Sequence, residues 1–150
     1  MKAKNTQNHA DAIISAVTGL VQEYFIRQGK PASGICAAIC IIDASGIVSG
    51  KLFEINNSDK IKLREKYLTA WTKASQVWIT GMKTFDFEHK VFNNEINYKD
   101  FGIQPPDFIG WRGGQPLKLK DGTNLSIGFS GFSQQDDLEI VLRAVKEMGI

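Results

Sequence analysis

Residues 111–131 read WRGGQPLKLKDGTNLSIGFSG. Two alternating segments flank Asp121-Gly122, a two-residue hairpin signal, because glycine accepts positive φ. The expected strands run from Gln115 to Lys120 and from Thr123 to Phe129. In the second, Leu125, Ile127 and Phe129 point to one side and Ser126, Gly128 and Ser130 to the other. Glycines frame the unit: Gly113 and Gly114 at its entrance, Gly128 inside the second strand, Gly131 at its exit. They serve either tight turns and dense helix–sheet packing or a surface where a ligand meets bare backbone, with Gly128 leaving a shelf. Backbone N–H groups around Ser130 and Gly131 lead into a helix start and suit an anion. Arg112, at the entrance, suits a carboxylate or phosphate held by two hydrogen bonds.

Working outward from the hairpin, Ser133 and Asp136 resemble a capping box opening a last helix, whose stripe is Leu138, Val141, Leu142, Val145 and Met148. Asp136 and Asp137 read as capping residues. Toward the N-terminus, Ile109 is expected to begin a short strand. The stretch from Ile79 to Phe108 is an aromatic-rich cover of irregular structure, suited to a subunit contact.

Before that, residues 59–78, DKIKLREKYLTAWTKASQVW, place Leu63, Tyr67, Ala70, Ala74 and Val77 on one helical stripe. Asn56-Asn57-Ser58-Asp59 offers its cap. Lys62, Lys66, Thr69 and Lys73 form a basic stripe beside the apolar one, and Lys66 is the candidate anion contact. Ile35 to Ile42 is a continuous apolar run, the signature of a strand buried on both faces. It turns at Asp43-Ala44-Ser45-Gly46 and returns as Ile47 to Ile55. The first helix spans Asn8 to Gln28, capped by Asn8 and ended by Gly29 and Pro31. The expected order is therefore α-β-β-α-β-β-β-α: an α+β fold with a central antiparallel five-stranded sheet flanked by helices, one domain over residues 1–150.

Composition narrows the function. A chain of 150 residues with 43% hydrophobic and 23% charged residues suits one well-packed domain. A net charge of +2 without a basic run argues against a nucleic-acid partner. No apolar segment is long enough to span a bilayer, and the N-terminal stretch reads as a polar lead-in to a helix rather than a signal peptide. Cys36 and Cys40, on one strand, sit ~13 Å apart at ~3.3 Å per residue, beyond the ~7 Å a disulfide allows. They read as small buried residues of a cytoplasmic protein. Ser-His-Asp order, HExxH, a Walker loop and GxGxxG are all missing. His9 and His89 are candidate metal ligands, with His89 taken as the site residue.

Several short pieces, in this order, resemble the GlcG/HbpS-like family of haem-binding or haem-degrading domains, which includes the C-terminal domain of PduO-type proteins. They are Ile42-Asp43-Ala44-Ser45-Gly46, Lys66-Tyr67-Leu68-Thr69-Ala70, Gly113-Gly114-Gln115-Pro116-Leu117, Ile127-Gly128-Phe129-Ser130-Gly131 and Asp136-Asp137. The resemblance implies a profilin-like fold, a homo-oligomer, and a small-molecule ligand such as haem or a corrinoid. It makes Lys66, Gly113, Gly114, Gly128 and Gly131 pocket-forming. The chain departs from the pattern at Arg112, where relatives commonly carry a third glycine, and at Glu54-Ile55-Asn56-Asn57, where they carry an Arg-Met-Asp-Gly-like turn. The leading expectation is a small-ligand binding protein, with Lys66 and Arg112 meeting the ligand's carboxylates and His89 as axial ligand to a haem iron. The alternatives are a cofactor-free enzyme on a small organic acid, with Lys66 as acid, base or anion clamp, and an accessory oligomer assembled through Phe92 and Tyr98.

Overall fold

A computed structural model of the protein describes residues 2–29 and 32–148, with side chains from Gln7 onward. Helix α1 spans Lys2–Arg27, strands β1 and β2 span Ile35–Asp43 and Val48–Ile55, and helix α2 spans Lys60–Thr80. Helix α3 (Thr84–Phe92) and a 3₁₀ turn (Tyr98–Phe101) precede strands β3 (Gly114–Lys118) and β4 (Asn124–Ser130) and helix α4 (Gln134–Met148). The described strands form one antiparallel sheet of four, in the order β2-β1-β4-β3.

The sheet lies between two helical layers, and residue parity decides which side chain meets which. Ile35, Ala37, Ile39 and Ile41 of β1 and Leu125, Ile127 and Phe129 of β4 face α1 and α4, where Ile13, Val17, Tyr24, Ile140 and Val141 complete the main core. Ala38, Cys40 and Ile42 face α2 and meet Ala70, Ala74 and Tyr67. All nine residues of β1 are buried, as its unbroken apolar run predicts for a central strand.

Four local outcomes differ from the sequence expectation. The fifth strand does not form, because the Gln76 side chain of α2 takes both backbone groups of Ile109. The Ile109 N–H donates to Oε1 (2.8 Å), and Nε2 donates to the Ile109 carbonyl (2.9 Å). A side-chain amide thus stands in for a strand partner. The hairpin loop is one residue longer than Asp121-Gly122. Leu119 and Thr123 still pair (2.8 Å), and Gly122 at φ 88° closes a three-residue loop over 120–122. Asn8 is not a cap, since α1 already runs from Lys2 through a stretch rich in good helix formers. Its other end is closed by Gly29 at φ 77°, while Pro31 lies outside the described residues. Finally, part of the aromatic cover is helical: α3 sits on fully buried Phe87, which packs edge-on against Phe101 and Phe108 at 5.5 and 5.2 Å.

Other signals act as expected. Asp59 caps α2, accepting from the N–H groups of Ile61 and Lys62. Asp43 organises the β1–β2 turn, its Oδ1 accepting from the Ser45 and Ile47 N–H groups and the Ser45 hydroxyl. Cys36 and Cys40 are free and buried, and burial pushes both thiols up, Cys40 to about 11.

Candidate functional site

The glycines that frame the hairpin have a common structural address. Strand register places Gly50, Cys40, Gly128 and Gly114 side by side on β2, β1, β4 and β3. They form a row of minimal side chains across the whole sheet, on the face that α2 covers. A Cβ on Gly128 would collide with the Ala70 carbonyl oxygen and stand 2.6 Å from the Ala74 nitrogen. One on Gly50 would stand 2.9 Å from the Tyr67 ring, and one on Gly114 would collide with the Thr84 side chain. The row is a trough filled by the α2 backbone at Gly128, by the Tyr67 ring of α2 at Gly50 and by Thr84 of α3 at Gly114, so no ligand shelf opens at Gly128. Gly131 is likewise closed over by Ala37. Gly113 adopts φ 111°, a conformation that strains any other residue, and lies against the Phe129 carbonyl and Lys73.

Anion-seeking N–H groups at the start of α4 are present, and the protein supplies the anion itself. Asp137 Oδ1 accepts from the Phe132 N–H at 2.8 Å, and the Gly131 N–H also favours its charged form. Ser133 caps the helix, its hydroxyl oxygen accepting from the Asp136 N–H at 3.1 Å. Oδ2 of Asp137 faces Lys73, whose Nζ lies 3.4 Å away and donates at 2.7 Å to the Phe129 carbonyl. Both side chains are almost fully buried. Burial pushes the Lys73 ammonium down and the Asp137 carboxyl up, and their mutual attraction opposes both shifts. The pair clasps α2, the end of β4 and the start of α4 at one corner of the sheet. Sequence reasoning placed Lys73 in a basic stripe and Asp137 in a cap. Their shared burial follows only from the trough that draws α2 onto β4.

The structure divides the remaining candidates. Lys66 is half-buried on α2, two turns before Lys73 and within electrostatic range of both Lys73 and Cys36. Ser130 is buried at the end of β4, paired with Ala38. Arg112 turns to α3, where its guanidinium lies over the Phe85 ring, 4.6 Å from the centroid. Phe85 is also stacked with His89, at 5.9 Å and 12° between planes. Arg112 and His89, 23 positions apart by number, thus share one aromatic ring. Phe85, His89 and the neighbouring Trp111 are all exposed. Among the described residues the His89 imidazole has no side-chain hydrogen-bond partner. His9 is committed elsewhere, its Nε2 standing 3.0 Å from Asp121 and tying α1 to the β3–β4 loop. Among the described residues, no group of three or more His, Cys, Asp or Glu side chains could hold a metal ion. No described helix is long and apolar enough to cross a membrane.

No family model and no curated protein sequence matches the chain. Solved structures match along most of its length. The crystal structure of a PduOC:heme complex aligns with a TM-score of 0.63 at 18% identity, over 89% of this chain and 90% of that one. A double mutant of Streptomyces reticuli HbpS aligns with a TM-score of 0.61 at 15% identity, over 93% and 86%. The protein Ybr137w gives a TM-score of 0.68 at 14% identity, over 95% and 77%. The chain shares the fold of these structures, the likeness the GlcG/HbpS-type sequence pieces led us to expect.

Proposed function

We propose that this chain is a small-ligand binding protein of the GlcG/HbpS-like, profilin-like type, and that its ligand is haem. One observation carries the reading: Phe85 gathers Arg112 and His89 at a single exposed surface. A porphyrin brings four nitrogens of its own, so its iron needs from the protein only one or two axial donors, not a cluster. A lone exposed imidazole meets that need where a bare metal ion would find too few ligands. Exposed Trp111 offers an aromatic face to the macrocycle, and Arg112 offers paired donors to a propionate. Gly113 serves by position, fixing the backbone beside Arg112 through its contacts with Phe129 and Lys73. Gly128 beds α2, Gly114 beds Thr84 at the start of α3, and Gly131 and Ser130 close the end of β4 against β1, so these four act on the scaffold rather than on the ligand. The fold shared with a PduOC:heme complex supports the same reading.

Haemin titration of the purified protein tests it. The expected result is a saturable Soret shift that His89→Ala abolishes, Arg112→Ala weakens and His9→Ala leaves unchanged. A titration without saturation, or a shift that survives His89→Ala, would reject ligation at this surface.

A further inference from the structure

Helix α2 carries a second apolar face that the sheet does not use. Its buried stripe is Leu63, Ala70, Ala74 and Val77. Turned away from it, Ile61, Leu68, Trp71 and Trp78 are 71%, 50%, 41% and 49% exposed. Arg64 and Ser75 fill the gaps in a seam that advances by alternating three- and four-residue steps from Ile61 through Arg64, Leu68, Trp71 and Ser75 to Trp78. This is the spacing with which one helix packs along another. The seam does not stand alone. Tyr67 leans from α2 onto Gly50, and the groove between this side of α2 and the edge strand β2, 590 Å³ in volume, is walled by Leu68, Val48 and Leu52. Val48 and Leu52 are themselves 44% and 48% exposed. An apolar surface of this continuity marks an interaction site rather than ordinary scattered exposure.

We propose that this face is covered by the same face of a second copy of the chain, with the two α2 helices antiparallel about a twofold axis. Two features select that occupant. The first is how the side chains of the seam match one another. Ile61, Arg64 and Leu68 lie as far before the midpoint between Thr69 and Ala70 as Trp78, Ser75 and Trp71 lie after it. An antiparallel copy therefore sets Leu68 against the partner's tryptophan at 71, Arg64 against its serine at 75, and Ile61 against its tryptophan at 78. Every large side chain meets an apolar or small one, as an isologous contact requires. The second is charge. Lys60, Lys62, Arg64, Glu65 and Lys66 crowd the N-terminal part of α2, whereas residues 74–80, ASQVWIT, carry no charge. Antiparallel order brings each basic end to the partner's uncharged end, where helix carbonyls present partial negative charge. Parallel order would stack two basic ends. A helix of 21 residues is about 31 Å long, and the β2 wall widens the face beside it.

Sedimentation equilibrium and cross-linking test this directly. The wild-type protein should have the mass of an even number of chains. Leu68→Glu and Trp71→Glu should each halve that mass with the far-ultraviolet circular dichroism unchanged, since both side chains point outward. Phe92→Glu, at the 73% exposed ring of α3, should leave the mass intact. Arg64→Cys and Ser75→Cys proteins should form a disulfide-linked pair when mixed and oxidised, and far less of one when either is oxidised alone; buried Cys36 and Cys40 stay out of the reaction. A single-chain mass for the wild type would overturn the proposal. So would full mass in both glutamate variants, dissociation by Phe92→Glu alone, or efficient linking of either cysteine variant with itself, the mark of parallel helices.

Discussion

The Lys73 ammonium and the Asp137 carboxylate, 64 positions apart in the chain, stand 3.4 Å from one another with almost no exposure to solvent. Removing one member leaves the other a buried charge without its partner, a loss of about 3–5 kcal/mol. Lys73→Met and Asp137→Leu are each expected to lower the unfolding free energy by that amount, seen as a lower urea midpoint. The double variant Lys73→Met/Asp137→Leu should recover a large part of the loss, because a buried pair exchanged for apolar side chains of similar size is often close to neutral. Denaturation of all four proteins in one double-mutant cycle gives the comparison. A double variant as unstable as the sum of the singles would show the two side chains acting independently.

Gly128→Ala should be destabilising by roughly 1–3 kcal/mol, because the new methyl group meets the α2 backbone and the helix must lift from the sheet. Gly19→Ala should do the opposite. Gly19 lies exposed within α1 with nothing near its missing Cβ, and alanine in a helix interior is favoured by about 0.8–1 kcal/mol. Thermal melts of the two variants should therefore move in opposite directions from the wild type.

Asp121 supplies an acid-sensitive contact. Hydrogen bonds from Thr123, side chain and backbone, and then the His9 ring, hold its carboxyl down at about 2 from an ordinary 3.8. The folded value lies below the unfolded one, so the contribution is complete above pH about 4 and is lost as the pH falls through about 2. Asp121→Asn should flatten that part of the stability curve. Unfolding free energies measured from pH 2 to pH 5 would reveal this, and an identical acid limb in the variant would contradict it.

Phe87 anchors α3. With Phe101 and Phe108 it makes a small aromatic cluster, and Phe87→Ala should cost about 3–5 kcal/mol locally. Backbone amides of residues 84–92 should lose hydrogen-exchange protection while those of β1 keep theirs. Uniform loss across both segments would mean that the cluster is continuous with the main core.

Periodicity in the sequence is enough to find α1, α2 and α4, and the unbroken apolar run of β1 is enough to find the centre of the sheet, because burial of these elements depends on their own residues. The expected strand at Ile109 fails for a non-local reason: its hydrogen bonds are claimed by Gln76, whose direction is unknown until α2 is docked. Helix α3 gives little local sign of itself, since Lys83 makes no side-chain cap at its start. The pairing of Arg112 with His89 depends on that same hidden helix, which sets Phe85 and His89 four residues apart on one face. Lys73 is visible as a lysine in a stripe, but its position over the corner where β4 meets α4 is a property of the assembled sheet. The glycines stand out in the sequence itself, and only strand register shows that those inside the strands answer to one another.

The trough of Gly50, Cys40, Gly128 and Gly114 also works as a keyway. It seats α2 at a set depth and denies it freedom to roll, so the bearing of the tryptophans on the helix's outer side is dictated from underneath. A methyl group added at Gly128 would do more than loosen packing: by meeting the helix backbone it would re-aim everything the helix presents to the outside world.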